Sequence, residues 1–176
     1  MQNILVVIDM QNDFVDGALG TKEAEEITEN VIKRVEKAEK AGEKLIFTRD
    51  THKEDYLSTQ EGKNLPIVHC VKDTKGWEII DSLKKYTDGR LIIDKPTFGS
   101  DELAAILKEE NGRNEIEKIT LIGLCTDICV ISNALLIKAF LPEVKIVVES
   151  DCCAGVSPET HDNALKAMKV CQIEVV

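Results

Sequence analysis

Six short apolar runs recur along the chain, with stretches of helical spacing between them, and this alternation limits the fold more than any other feature. The runs are Asn3–Ile8 (NILVVI), Lys44–Thr48 (KLIFT), Arg90–Asp94 (RLIID), Lys118–Gly123 (KITLIG), Val144–Glu149 (VKIVVE) and Ile173–Val176. Each is short and rich in β-branched residues, so each reads as a strand. Between the first two, Ala24, Ile27, Val31, Val35 and Ala38 recur at helical spacing; Thr21 can cap that helix and Gly42 can end it. Further helices are expected around Gly76–Tyr86, from Ser100 to about Glu110, over Thr126–Phe140 with Thr126 as cap, and from Ser157-Pro158 to about Val170. Residues 50–75 are polar, irregular and long for a connection, which marks a functional loop.

Strands that alternate with helices imply right-handed crossovers and a mostly parallel sheet. Unbroken apolar strands, with no polar alternation, imply helices on both faces. The expected fold is therefore a three-layer α/β/α, Rossmann-like open sheet of about six strands. With 176 residues and no linker, repeat or low-complexity stretch, it is expected to be a single domain over 1–176.

Composition narrows the function classes. A net charge of -10 and only 4% aromatic residues disfavour nucleic acid and anionic membranes as partners, which need a basic or base-stacking surface. No run is long enough to span a bilayer, and the opening MQNILVVID lacks the basic and apolar regions of a secretion signal. The six cysteines, Cys70, Cys125, Cys129, Cys152, Cys153 and Cys171, lack zinc-finger pairing. A reducing cytoplasm with free thiols is the expectation. A homo-oligomer is left open.

In open α/β sheets ligands bind beyond the carboxyl ends of the strands. There the sequence places Asp9 after the first strand, Asp50 and His52 after the second, Lys95 after the third, and Cys125 to Cys129 after the fourth. Cys129 would lie in the first turn of a helix, where free N–H groups and Lys95 favour a thiolate. Asp9 could take its proton and return it to a leaving group. Asp50, His52 and His69, one carboxylate and two imidazoles, are suitable ligands for Zn²⁺, Mn²⁺ or Fe²⁺. Cys70, Cys152, Cys153 and Cys171 read as small buried residues, Cys125 as a backbone position, and His161 as a helix-surface or structural histidine. A nucleotide-binding domain of the same architecture is disfavoured, because the first strand leads into DMQNDF and not into a glycine-rich loop. A non-catalytic scaffold is disfavoured by the intact Asp9, Lys95 and Cys129.

These motifs resemble the isochorismatase-like cysteine hydrolases, most closely the nicotinamidase/pyrazinamidase branch. The resemblance rests on DMQNDF at 9–14, DTH at 50–52, PIVHC at 66–70, DKPTF at 94–98 and GLCTDICV at 123–130, and it runs through essentially the whole chain. It implies a catalytic triad of Asp9, Lys95 and Cys129. It implies one divalent metal, zinc in the first place, on Asp50, His52 and His69, with Glu61 as an extra carboxylate. The resemblance also implies an oxyanion hole on the amides of Cys125 and Cys129, a cis peptide at Leu124-Cys125, and Phe14 against the substrate. The implied reaction is hydrolysis of nicotinamide, or of another small amide, ureido or ring substrate, through a thioester on Cys129. One departure is visible: Leu65-Pro66-Ile67-Val68 stands where nicotinamidases usually carry a stacking aromatic.

Overall fold

A computed structural model describes residues 1–176. The apolar runs form one six-stranded sheet in the order β3-β2-β1-β4-β5-β6, with every neighbouring pair parallel. The strands are β1 (Gln2–Ile8), β2 (Lys44–Asp50), β3 (Leu91–Lys95), β4 (Ile116–Leu124), β5 (Lys145–Ala154) and β6 (Glu174–Val175). The helices are α1 (Asn12–Val15), α2 (Lys22–Ala41), α3 (Gln60–Asn64), α4 (Asp81–Lys84), α5 (Asp101–Arg113), α6 (Ile131–Phe140) and α7 (Pro158–Val170). None is long and apolar enough to cross a membrane.

Successive side chains of β1 feed two separate cores. Ile4, Val6 and Ile8 pack with residues of α5, α6 and α7; Leu5 and Val7 pack with α2 and the segment from Trp77 to Tyr86. This is why the strand is apolar without alternation. The chain leaves β1 towards one edge through β2 and later restarts beside β1 with β4, so the strand order reverses between β1 and β4. The carboxyl ends of those two strands flank a natural crevice.

The caps foreseen for α2 are present: Thr21 Oγ1 accepts from the Ala24 N–H, and Gly42 closes the helix in the left-handed region at φ 72°. Ser100 and Ser157 cap α5 and α7 in the same way.

Several boundaries differ from expectation. The helix expected over 76–86 shrinks to Asp81–Lys84, because Trp77–Ile80 instead runs alongside the start of α1. There the Asn12 N–H donates to Glu78 O and the Ile80 N–H to Met10 O. β5 continues past Glu149 to Ala154 through a register shift, so that Cys153 and Ala154 pair with Gly123 and Leu124. β6 is two residues long. The helix expected from Thr126 opens as a π-helical turn, Thr126–Val130, before α6. Thr126 does not cap it: its Oγ1 lies 2.8 Å from His161 Nδ1. The loop after β2 contains α3 and a 3₁₀ turn at Tyr56–Ser58. Cys171 is exposed, contrary to the expected burial, because it lies past the end of α7. All six cysteines are free.

Gly123, near the end of β4, sits at φ 116°, and a Cβ there would lie 2.0 Å from Ile8 O. Only glycine fits both the dihedral and the close approach of β1. Gly123→Ala is expected to cost about 2–4 kcal/mol, measured by urea denaturation.

Candidate active site

The ends of the first three strands and the turn after the fourth converge. Asp9 follows β1 at φ 47° and is fully buried. Its Oδ1 accepts from Thr48 Oγ1 at 2.6 Å, which fixes the carboxylate. Lys95, the last residue of β3, is also fully buried. Its Nζ lies 2.6 Å from Asp9 Oδ2 and 3.4 Å from Asp50 Oδ1. It donates to Cys129 Sγ at 3.4 Å and to Thr97 O at 3.2 Å. Cys129 stands in the π-helical turn, 3% exposed. Asn133, one turn on, donates to Cys129 O at 2.8 Å and to Phe98 O at 3.0 Å, and accepts from the Ser100 N–H. It ties the Cys129 turn to the loop after β3.

Burial governs the charges. It pushes the Asp9 carboxyl up, against the opposing pull of Lys95. It would push the Lys95 ammonium down, but Asp9, Cys129 and Asp50 outweigh it and hold Lys95 charged. It pushes the Cys129 thiol well above its ordinary value, with Lys95 working in the other direction. The expectation of a favoured resting thiolate is therefore corrected. Loss of water around sulfur outweighs the nearby cation. Because Lys95 touches both groups, a proton passing from Cys129 to Asp9 moves the anion from one Lys95 contact to the other.

The loop after β2 brings Asp50, His52, Glu61 and His69 together, with one donor atom from each within 4.8 Å of the others. His69 Nδ1 lies 2.8 Å from Ile67 O, which accepts its proton, and Nε2 faces Asp50 Oδ2 at 3.6 Å. His52 Nε2 is buried without a hydrogen-bond partner, although it is 2.9 Å from Asp50 Oδ2. An unsatisfied ring nitrogen facing a carboxylate and a second imidazole fits a shared divalent ion of the zinc, manganese or iron type. Burial acts to raise the Asp50 carboxyl, but His52, His69 and Lys95 hold it well below the usual carboxylate range.

Sequence reading passed over the residues that brace this loop. Buried Gln11 donates to Asp50 O at 2.9 Å and to Trp77 O at 2.8 Å, and accepts from the Asp50 N–H at 2.7 Å. Asp13 accepts from the Cys70 N–H at 2.7 Å, beside His69. Both belong to DMQNDF, and their place two and four residues after Asp9 was the available signal. Tyr56, fully buried, packs its ring against both imidazoles and donates to Leu65 O.

A narrow cavity of about 40 Å³ lies between the two groups, with Phe14, His69, Cys125, Ile128 and Cys129 in its wall. The Leu124-Cys125 peptide is cis. Cys125 is half-buried, and its N–H has no hydrogen-bond partner. Ile67 and Val68 point to solvent, but Phe98, from the loop after β3, lines the same cavity. An aromatic face is thus supplied from another part of the chain. Behind the turn, the Asp127 carboxylate accepts the Val156 N–H, and His161 in α7 takes the structural position foreseen for it, against Thr126.

Comparison with known proteins extends this picture. Residues 3–176 match the isochorismatase domain family model. The nicotinamidase of Schizosaccharomyces pombe is 27% identical, over 98% of this chain and 91% of that protein. The zinc complex of the Pyrococcus horikoshii pyrazinamidase superposes with a TM-score of 0.83 at 31% identity, over 100% of this chain and 99% of that one. The N-carbamoylsarcosine amidase of Thermoplasma acidophilum superposes with a TM-score of 0.79 at 26% identity, over 99% and 94%. The fold, the motifs and the match over nearly the whole length agree: the chain belongs to the isochorismatase domain family.

Proposed function

We propose that the chain is an amidohydrolase, a single catalytic domain over 1–176, that converts nicotinamide or a closely similar small carboxamide to the acid and ammonia. The observation that carries this reading is the buried Lys95 Nζ between Asp9, at 2.6 Å, and Cys129 Sγ, at 3.4 Å. The nicotinamidase and pyrazinamidase relatives support the substrate class.

In this mechanism Asp9 accepts the thiol proton as Cys129 sulfur attacks the carboxamide carbon, and the carbonyl electron pair moves onto oxygen. The amides of Cys125 and Cys129 face that oxygen; one such donor contributes about 3–4 kcal/mol to lowering the barrier. Asp9 returns the proton to nitrogen, ammonia leaves, and a thioester remains on Cys129. Water then attacks the thioester carbon, Asp9 takes its proton, and the acid departs as the Cys129 thiol re-forms. Lys95 offsets the negative charge at each stage. Phe14 and Phe98 hold the ring. Asp50, His52 and His69, with Glu61 alongside, would hold a divalent ion, which would supply a Lewis-acid position for the substrate or an ordered water.

The test is ammonia release from nicotinamide with and without a chelator. Nicotinate and ammonia are expected in equal amounts, with activity falling at least about tenfold on chelation and returning with zinc. No ammonia from nicotinamide would remove the substrate, and no effect of complete metal removal would remove the ion. A second reading, hydrolysis of another amide, ureido or ring substrate, is favoured by Leu65-Pro66-Ile67-Val68 and by the carbamoylsarcosine amidase neighbour. A substrate panel that includes pyrazinamide and ureido acids separates the two.

A further inference from the structure

A larger cavity adjoins the narrow one beside Cys129. Phe14, Leu19, Leu65, Cys125 and Ile128 also form one wall of a second chamber of about 240 Å³, several times the volume of the first. Leu19 follows α1 and Ala24 lies in the first turn of α2, so this chamber is bounded on one side by the start of that helix. Thr21, its cap, and Val156, on the loop before α7, complete the lining. Ala24 is buried and Val156 is 56% exposed, so the chamber runs from the interior towards solvent. Its walls carry no arginine, lysine or carboxylate, and the one side-chain hydroxyl, Thr21 Oγ1, accepts from the Ala24 N–H. A charged substituent would be desolvated there without a partner, whereas an apolar one would displace water from apolar walls.

We propose that this chamber is an extension of the substrate site, and that the chain accepts neutral heteroaromatic carboxamides with an apolar substituent on the ring. The inference rests on the carboxamide hydrolysis proposed above. Five shared lining residues set the chamber directly against the reacting centre, within reach of a substituent on the substrate ring. Ala24 and Val156 touch this chamber and not the inner cavity, which makes them specificity-determining residues for the substituent.

The experiment compares kcat/KM for nicotinamide, 5-propylnicotinamide, quinoline-3-carboxamide and 5-carboxynicotinamide in the native enzyme and in Ala24→Leu and Val156→Phe. Both apolar analogues are expected to match or exceed nicotinamide, up to about tenfold, and the carboxylate analogue to fall at least 100-fold. Ala24→Leu narrows the chamber from the helix side. Val156→Phe closes it from the exposed rim, where misfolding is a lesser concern. Each should lower both apolar analogues at least tenfold and leave nicotinamide within about twofold. Should nicotinamide be hydrolysed while both apolar analogues fall tenfold or more below it, the extension is refuted and the proposed function stands. An equal loss on all substrates in both variants also refutes it. If a folded protein hydrolyses none of the carboxamides, the proposed function fails and takes this inference with it.

Discussion

Cys129→Ala is expected to abolish ammonia release, with kcat falling by about 10⁴-fold or more, while the fold survives. Removing the nucleophile from a set of residues that act as a unit typically removes most of the rate enhancement. Cys129 is small and packs within the core shared by α5, α6 and α7, so the substitution loses one sulfur atom and little else. A modest loss of stability, about 1 kcal/mol, is the corresponding cost. Ammonia assay and thermal melting on the same preparation check both halves. Substantial residual turnover would show that another group attacks the carbonyl. Cys171, the exposed thiol, provides the internal control for alkylation. It should react with a bulky reagent before Cys129, which is buried and whose thiol that burial pushes up.

Lys95→Met is expected to abolish activity and also to unfold the protein more easily. The ammonium is fully buried, with Asp9 at 2.6 Å and Asp50 at 3.4 Å. Its removal leaves two carboxylates in an interior site without their shared cation. Breaking one side of a buried ion pair costs about 3–5 kcal/mol, which for a chain of this length lowers the midpoint of melting by about 6–20 °C. Asp9→Asn in the same chain removes one of the stranded charges. The double variant Asp9→Asn/Lys95→Met should therefore be more stable than the sum of the single effects, by at least about 1 kcal/mol. Strict additivity in urea titrations would mean that the two groups do not interact. The double variant stays inactive, so recovery of stability separates from recovery of function.

Much of this architecture is legible in the residues themselves, and the reason is physical. A strand covered on both faces must be apolar throughout, so Asn3–Ile8 and Lys118–Gly123 declare themselves, and the rule of strand ends then gathers Asp9, Asp50, Lys95 and the 125–129 turn at one edge. What escapes is set by contacts distant in sequence. Trp77-Glu78-Ile79-Ile80 has helical neighbours and apolar spacing, yet stays out of the helix because the backbone at Met10 and Asn12 offers hydrogen bonds. Glu149-Ser150-Asp151 looks like the end of a strand, yet β5 continues through it and, after a register shift, pairs with Gly123 and Leu124. Gln11 reads as an ordinary polar residue after a strand; only the folded chain shows it closed on Asp50. The upward push on the Cys129 thiol escapes for the same reason. Position in a helical turn and a nearby lysine are visible in sequence, whereas the exclusion of water that outweighs them is a property of the packed core.

The two contacts behind the Cys129 turn, between Thr126 and His161 and from the Val156 N–H to the Asp127 carboxylate, have a mechanical meaning. The turn follows the end of β4, and its far side is held to α7 and the loop before it. Segments some thirty residues apart therefore behave as one rigid bracket. The stiffness that holds a reactive sulfur in register with its lysine is borrowed from the C-terminal end of the chain, well away from the residues that carry out the chemistry.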